Sequence, residues 1–304
     1  MKRKTFRIIA RGGHGDLILS TPIFGALKQA YPHCRIIIFC LEKGARLRRG
    51  AREIFKNNPN IDEIRSTSLI ANPLHYAKFY LKKVKFIWLT YDYLAPALIY
   101  DRHATLIIAD MFGIRLDSSK LELYLTSEEE KWGREKVGAY RNPIVIHITS
   151  LSSDNKNWLL RNWEELVESM PEYTFIQLGL AKEEKVEGAV DLRGKTSFRE
   201  GLSIIKSSLS FVGVDSSFAH ATNAFGIPGV VLFGASTPQV WGHPNNINLY
   251  KKQRCAPCVD LLLASPCPYG KPCMTTITVE EVRRALLSQL AKRKQAFSTN
   301  NLCV

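Results

Sequence analysis

The stretch GVDSSFAHATNAFGIPGVVLFG, residues 213–234, holds a strand end, a helix and a second strand. A buried apolar run, Leu209–Val214, ends in Asp215-Ser216-Ser217. A helical pattern opens there, Ser217–Phe225, and an apolar strand follows at Gly229–Phe233. Strand, helix, strand at this spacing makes the two strands parallel. Backbone N–H groups at a helix N-terminus favour anions, so Asp215, Ser216 and Ser217 line a site for a phosphate or for sugar hydroxyls. His220 lies one turn in, on the same helical face. A helix cap with a core-facing histidine is the plainer alternative, and it stays open.

The same alternation extends outward. Strands are expected at Ile144–Ile148 and Thr174–Leu178, with helices at Asn162–Met170 and Phe198–Lys206. Near the start, Phe6–Ala10 reads as a strand. Leu19, Ile23 and Leu27 then mark one helix with Pro22 in its first turns, and Arg35–Leu41 reads as a second strand. A chain of 304 residues exceeds one usual domain. The expected fold class is therefore α/β, with two Rossmann-like domains facing a central cleft, 1–130 and 131–304. The charged stretch Thr126–Arg141 marks the boundary, and a terminal amphipathic helix is expected at Val279–Lys294, with the last ten residues frayed. Ligands in such sheets bind outside the carboxyl ends of the strands.

Charge is uneven. The chain carries a net +14; residues 1–125 hold 21 Lys/Arg against 10 Asp/Glu, the remainder 21 against 18. A basic first half suggests an anionic partner: nucleic acid, anionic lipid or a phosphorylated glycan. A solvated basic face explains it equally well. The start, MKRKTFRIIARGG, lacks the long apolar core of a secretory signal. Phe86–Tyr100 is broken by Asp92 and Pro96, and no stretch reaches the roughly 18–20 apolar residues of a membrane span. A cytoplasmic protein is expected, with contact at a membrane surface compatible.

The loop ARGGHGDLILSTP, Ala10–Pro22, fails as a dinucleotide fingerprint: Gly13 and Gly15 fit, but Ile18 stands at the third glycine and Glu42 falls too late for the acidic residue. It also lacks the Gly-Lys-Ser/Thr ending of a phosphate loop. No cofactor is expected. Asp16 is either a helix cap or a carboxylate base, with Gly13, His14 and Gly15 beside it. HITSLSSDNKNW, His147–Trp158, supplies hydroxyls at Thr149, Ser150, Ser152 and Ser153 and an ammonium at Lys156, a set suited to a diphosphate. LGLAKEE, Leu178–Glu184, places Glu183 where a carboxylate could hold ribose hydroxyls; a Glu-rich helix N-terminus accounts for it as well.

The order G-D…P, T-S…K-x-W, G-x-x-x-E, D-L-x-G-K-T-S and G-x-D-S-S-x-x-H-x-x-x-A-x-G-x-P-x-x-x-L-F-G resembles glycosyltransferase family nine, the ADP-heptose:lipopolysaccharide heptosyltransferases. The D-S-S-x-x-H block followed by GIPGVVLFGASTP is its most specific part. The resemblance implies a GT-B fold, with the acceptor on the N-terminal domain and the nucleotide sugar on the C-terminal one. It implies transfer of heptose from ADP-heptose to the lipid A-core acceptor, with inversion and no metal. Asp16 is then the general base, and Gly13, His14 and Gly15 border the acceptor. Thr149, Ser150 and Lys156 would hold the diphosphate and Glu183 the ribose. Asp215, Ser216, Ser217 and His220 would hold phosphate and sugar. Where the family motif has D-S-G, this chain has Ser217. The basic half fits peripheral contact with the inner face of an anionic inner membrane, and no nucleic acid partner is expected.

Cys255, Cys258, Cys267 and Cys273 are spaced C-x2-C-x8-C-x5-C. The last spacing is wider than most zinc sites, so no metal is expected and structural zinc is the alternative. Two other functions stay open: a GT-B transferase for a different nucleotide sugar, and a non-catalytic nucleotide-sugar or nucleic-acid binding protein.

Overall fold

The computed structural model describes residues 4–41, 50–67, 85–88, 102–258 and 266–300. Glu42 and the apolar stretch beyond Trp88 as far as Tyr100 lie outside them. The chain divides into two compact units, Met1–Tyr124 and Leu125–Val304.

In the first unit, β1 (Thr5–Arg11) leads to α1 (His14–Leu19), α2 (Pro22–Ala30) and β2 (Arg35–Leu41). Then come α3 (Ala51–Phe55), β3 (Glu63–Thr67), β4 (Lys85–Trp88) and α4 (Ala104–Met111). The sheet is parallel in the order β3-β2-β1-β4. The single helix expected through Pro22 is two. Proline has no N–H for an interior turn. The Ser20 and Thr21 hydroxyls donate to the Leu17 and Ile18 carbonyls, both at 2.7 Å, and Pro22 opens a second helix. Leu19, Ile23 and Leu27 are all buried, as their spacing implied.

The second unit opens on α5 (Ser127–Gly138), the charged stretch read as a boundary. Thr126 and Glu129 form a reciprocal cap at its start. The sheet strands are β5 (Pro143–His147), β6 (Thr174–Gln177), β7 (Val190–Asp191), β8 (Ser210–Val214), β9 (Gly229–Phe233) and β10 (Asn246–Tyr250). The helices between and after them are α6 (Leu160–Glu168), α7 (Phe198–Ser207), α8 (Ser217–Phe225), α9 (Pro238–Trp241), α10 (Pro272–Thr275) and α11 (Val279–Asn300). The division after Tyr124, rather than at 130, follows from α5. Arg199 of α7 grips the Glu129 carboxylate at 2.5 and 2.6 Å, and Gly133 lets the Ser203 backbone approach where a Cβ would collide. The terminal helix runs to Asn300, past the point where fraying was expected.

This sheet is also wholly parallel, ordered β10-β9-β8-β5-β6-β7. Every residue of β8 and β9 is buried, which is why both read as unbroken apolar runs. Each buried Val or Ile contributes about 1.5–3 kcal/mol.

Strand order sets where ligands can bind. From β5 the chain builds outward through β6 and β7, then returns to the other side of β5 with β8. The loops after β5 and β8 therefore diverge and leave a crevice. In the first sheet the same reversal falls between β1 and β4, so the glycine loop after β1 borders its switch point.

Candidate active site

In the first unit, Gly12 has φ +148°, and a Cβ on it would stand 3.0 Å from the Asp16 Cβ. The loop needs glycine there because Asp16 folds back over it. α1 begins at His14, so Asp16 is its third residue and Gly13 its N-cap. The Gly13 N–H donates to Asp16 Oδ2 at 2.8 Å. Asp16 thus caps the helix from within, and its carboxylate stays partly exposed. Gly13 is exposed and Gly15 partly so. His14 packs against Gly50, the N-cap of α3, whose φ of +117° suits glycine.

In the second unit, β5 and β8 run side by side with His147 opposite Gly213. His147 Nδ1 is 2.9 Å from Ser216 Oγ, and the Phe218 ring stands edge-on to the imidazole at 5.0 Å. Burial pushes the His147 pKa down to about 4, so the ring is neutral near pH 7. Ser216 is the N-cap of α8, yet its hydroxyl caps nothing because it is turned to His147. The first-turn N–H groups of α8 are left without a side-chain cap, beside partly exposed Ser216 and Ser217.

Lys156 sits in a 3₁₀ turn, Asp154–Lys156, within the loop after β5. The Ser150 N–H donates to Asn157 Oδ1 at 2.8 Å, and the Trp158 indole donates to the Ile277 carbonyl at 2.9 Å, so the loop is held at both ends. The Lys156 side chain is 10% exposed, and its ammonium donates to Asp215 Oδ2 at 2.8 Å. Ser236 donates to the same oxygen at 2.7 Å, and His220 Nε2 lies 3.8 Å from Oδ1. Burial alone would raise the Asp215 carboxyl; the Lys156 ammonium, the electrostatic attraction of the facing His220 ring and the two hydrogen bonds outweigh it and hold the pKa below the ordinary value. The Trp241 ring centroid lies 5.9 Å from the ammonium. Ser150 is buried, its hydroxyl 3.0 Å from that of Ser152, while Thr149 is partly exposed.

Glu183 lies in a turn, with no helix after β6. It folds across Gly179, φ +151°, where a Cβ would collide with Oε2. Oε1 accepts from the Leu180 N–H at 3.0 Å, and Oε2 is buried without a hydrogen-bond partner. Burial raises the Glu183 pKa, and the Leu180 N–H, the Thr149 hydroxyl and the Arg193 charge reduce the rise without cancelling it.

Sequence reasoning missed Ser236, Trp241 and His243, and gave His147 no role. The first three follow from one signal: β9 neighbours β8, so residues past its carboxyl end stand near Asp215. The four clustered cysteines are free thiols. Burial and the neighbouring thiols push Cys273 up to about 11. Among the described residues, no group of three or more His, Cys, Asp or Glu is placed to hold a metal ion.

Two units of parallel sheet with polar loops at their switch points match the GT-B fold, and solved structures of glycosyltransferases share it. The structure of the glycosyl transferase family 9 protein from Veillonella parvula DSM 2008 matches with TM-score 0.71 and 17% identity over 95% of this chain and 97% of that one. The ADP-heptose lps heptosyltransferase II of E. coli matches with TM-score 0.67 and 14% identity over 96% and 99%. Lipopolysaccharide heptosyltransferase 3 of Escherichia coli is 22% identical over 289 residues, covering 75% of this chain and 83% of that protein. The sequence profile of Glycosyltransferase family 9 (heptosyltransferase) matches residues 97–264, more than half of the chain. The chain belongs to glycosyltransferase family 9.

Proposed function

We propose that this enzyme transfers a heptose from ADP-heptose to the inner core of lipopolysaccharide, with inversion at the anomeric carbon. The observation that carries the reading is the uncapped N-terminus of α8 beside the Lys156–Asp215 pair. N–H groups without a side-chain cap, at the positive end of a helix, suit a diphosphate. Thr149, Ser150, Ser216, Ser217 and Lys156 line its place, with Asp215 and His220 behind them and on the sugar side. Glu183 Oε2, buried and without a partner, takes ribose hydroxyls. The relatives named for ADP-heptose and for lipopolysaccharide support the choice of donor and acceptor.

In this reaction Asp16 removes the proton from the attacking acceptor hydroxyl, with Gly13, His14 and Gly15 bordering the acceptor sugar. Lys156 and the α8 N–H groups stabilise the charge that builds on the departing diphosphate. The first unit binds the acceptor and the second the nucleotide sugar. The basic first unit rests on the anionic inner face of the inner membrane, each cation near the surface contributing about 1 kcal/mol. Among the described residues no helix is long and apolar enough to cross a membrane. A panel of nucleotide sugars, assayed for transfer to lipid A-core acceptors, tests the reading. ADP-heptose should be turned over fastest; equal or better use of a hexose donor would overturn the heptose assignment.

A further inference from the structure

Two side chains of the segment after β9 stand against the Asp215–Lys156 pair, Ser236 and Trp241, and a third, His243, stands against His220. Its Nε2 lies 2.8 Å from His220 Nδ1, with the rings at 87°, and His220 Nε2 faces Asp215 Oδ1 at 3.8 Å. The His243 carbonyl accepts from the Asn246 N–H at 3.1 Å and from Asn248 Nδ2 at 3.2 Å, so its backbone is fixed.

For neutral rings, two proton arrangements satisfy the contact between them. In one, His220 Nδ1–H donates to His243, and the lone pair of His220 Nε2 faces the Asp215 carboxylate. In the other, His243 Nε2–H donates to His220 Nδ1, and His220 Nε2–H faces the carboxylate. Asp215, His220 and His243 are 4%, 4% and 2% exposed, so the repulsion in the first arrangement is poorly screened. The second replaces it with attraction.

We propose that His243 is a positioning residue for the transfer reaction: through His220 it sets the tautomer that draws Asp215 Oδ1 away from Lys156. The inference rests on the donor-site reading above. Lys156 then meets one carboxylate oxygen instead of two. An ammonium has three N–H donors, and one is spent on Asp215 Oδ2. Anchoring Oδ1 at His220 keeps the other two for the phosphate oxygens.

The first test uses the unaltered protein. ¹⁵N chemical shifts of the His220 ring should report Nε2–H with a bare Nδ1. An Nδ1–H or doubly protonated His220 overturns the proposal whatever the donor proves to be. The second test is kinetic: His243→Ala should lower kcat about tenfold to a hundredfold while donor KM and ADP affinity stay within about threefold. His243→Gln, whose amide N–H can reach His220 Nδ1, should recover most of the loss. An unimpaired His243→Ala enzyme, or equal losses in the Ala and Gln variants, overturns it. The donor-site reading fails separately if the unaltered protein does not bind ADP.

Discussion

Each unit carries an aspartate just past a strand that borders its switch point, Asp16 after β1 and Asp215 after β8. Asp16 is partly exposed and bonds a backbone N–H three residues back. Asp215 is 4% exposed and is held by an ammonium and a hydroxyl. The surroundings separate their chemistry. A carboxylate reachable by solvent can accept a proton from a substrate hydroxyl. A buried carboxylate with a lysine on it has its proton affinity suppressed and acts as a fixed charge. On the function proposed above, the same residue type in corresponding places serves as a base in one unit and as an anchor in the other.

Removing each aspartate's function should have opposite signatures. Asp16→Ala should reduce the transfer rate about 10²–10⁴-fold with little change in melting temperature. Asp16→Asn keeps an oxygen for the Gly13 N–H but cannot act as a base, so a turnover assay showing that it survives would remove Asp16 from that role. Lys156→Met should instead cost about 3–5 kcal/mol of stability, because it leaves the buried Asp215 carboxylate without its ammonium. Urea denaturation would measure it, and Lys156→Met combined with Asp215→Asn should regain most of the stability without regaining transfer.

Two pH effects sharpen the contrast at smaller scale. The folded pKa of His147, about 4, lies below the ordinary histidine value of 6.5. The unfolded chain binds more protons between those values, so the contribution is complete above pH 6.5 and lost as pH falls toward 4. The loss is about 3 kcal/mol at most, and His147→Asn should flatten that part of the stability profile. Glu183 is shifted the other way. If Glu183 holds the ribose as proposed, its ionised form accepts the hydroxyls, so donor KM should rise on acidification from a higher pH than an ordinary carboxylate gives. Glu183→Gln should raise KM about tenfold and abolish that limb; a pH profile unchanged in the variant would take Glu183 out of the ribose site.

Much of this arrangement was legible in the sequence. The apolar runs at Arg35–Leu41, Ile144–Ile148 and Gly229–Phe233 marked buried parallel strands because such strands have no polar face. β3, β4, β7 and β10 were not seen. Glu63–Thr67 is charged and short, Val190–Asp191 has two residues, and Asn246–Tyr250 alternates weakly. Edge strands are covered on fewer sides, so their composition carries less signal. The break at Pro22 was missed because the apolar spacing continues across it, and only the backbone shows Ser20 and Thr21 closing the first helix.

The sequence by itself determined the α/β class, the alternation of strands and helices, and which loops follow strand ends. Those depend on local periodicity, which the chain carries wherever it is. The tertiary structure decided which polar side chains face outward and which face one another. Lys156 is separated from Asp215 by 59 positions and Asp215 from Ser236 by 21. Nothing local distinguishes a lysine in a polar loop from one buried on a carboxylate. Only the strand order, which sets the ends of β5, β8 and β9 side by side, makes that lysine half of a buried pair.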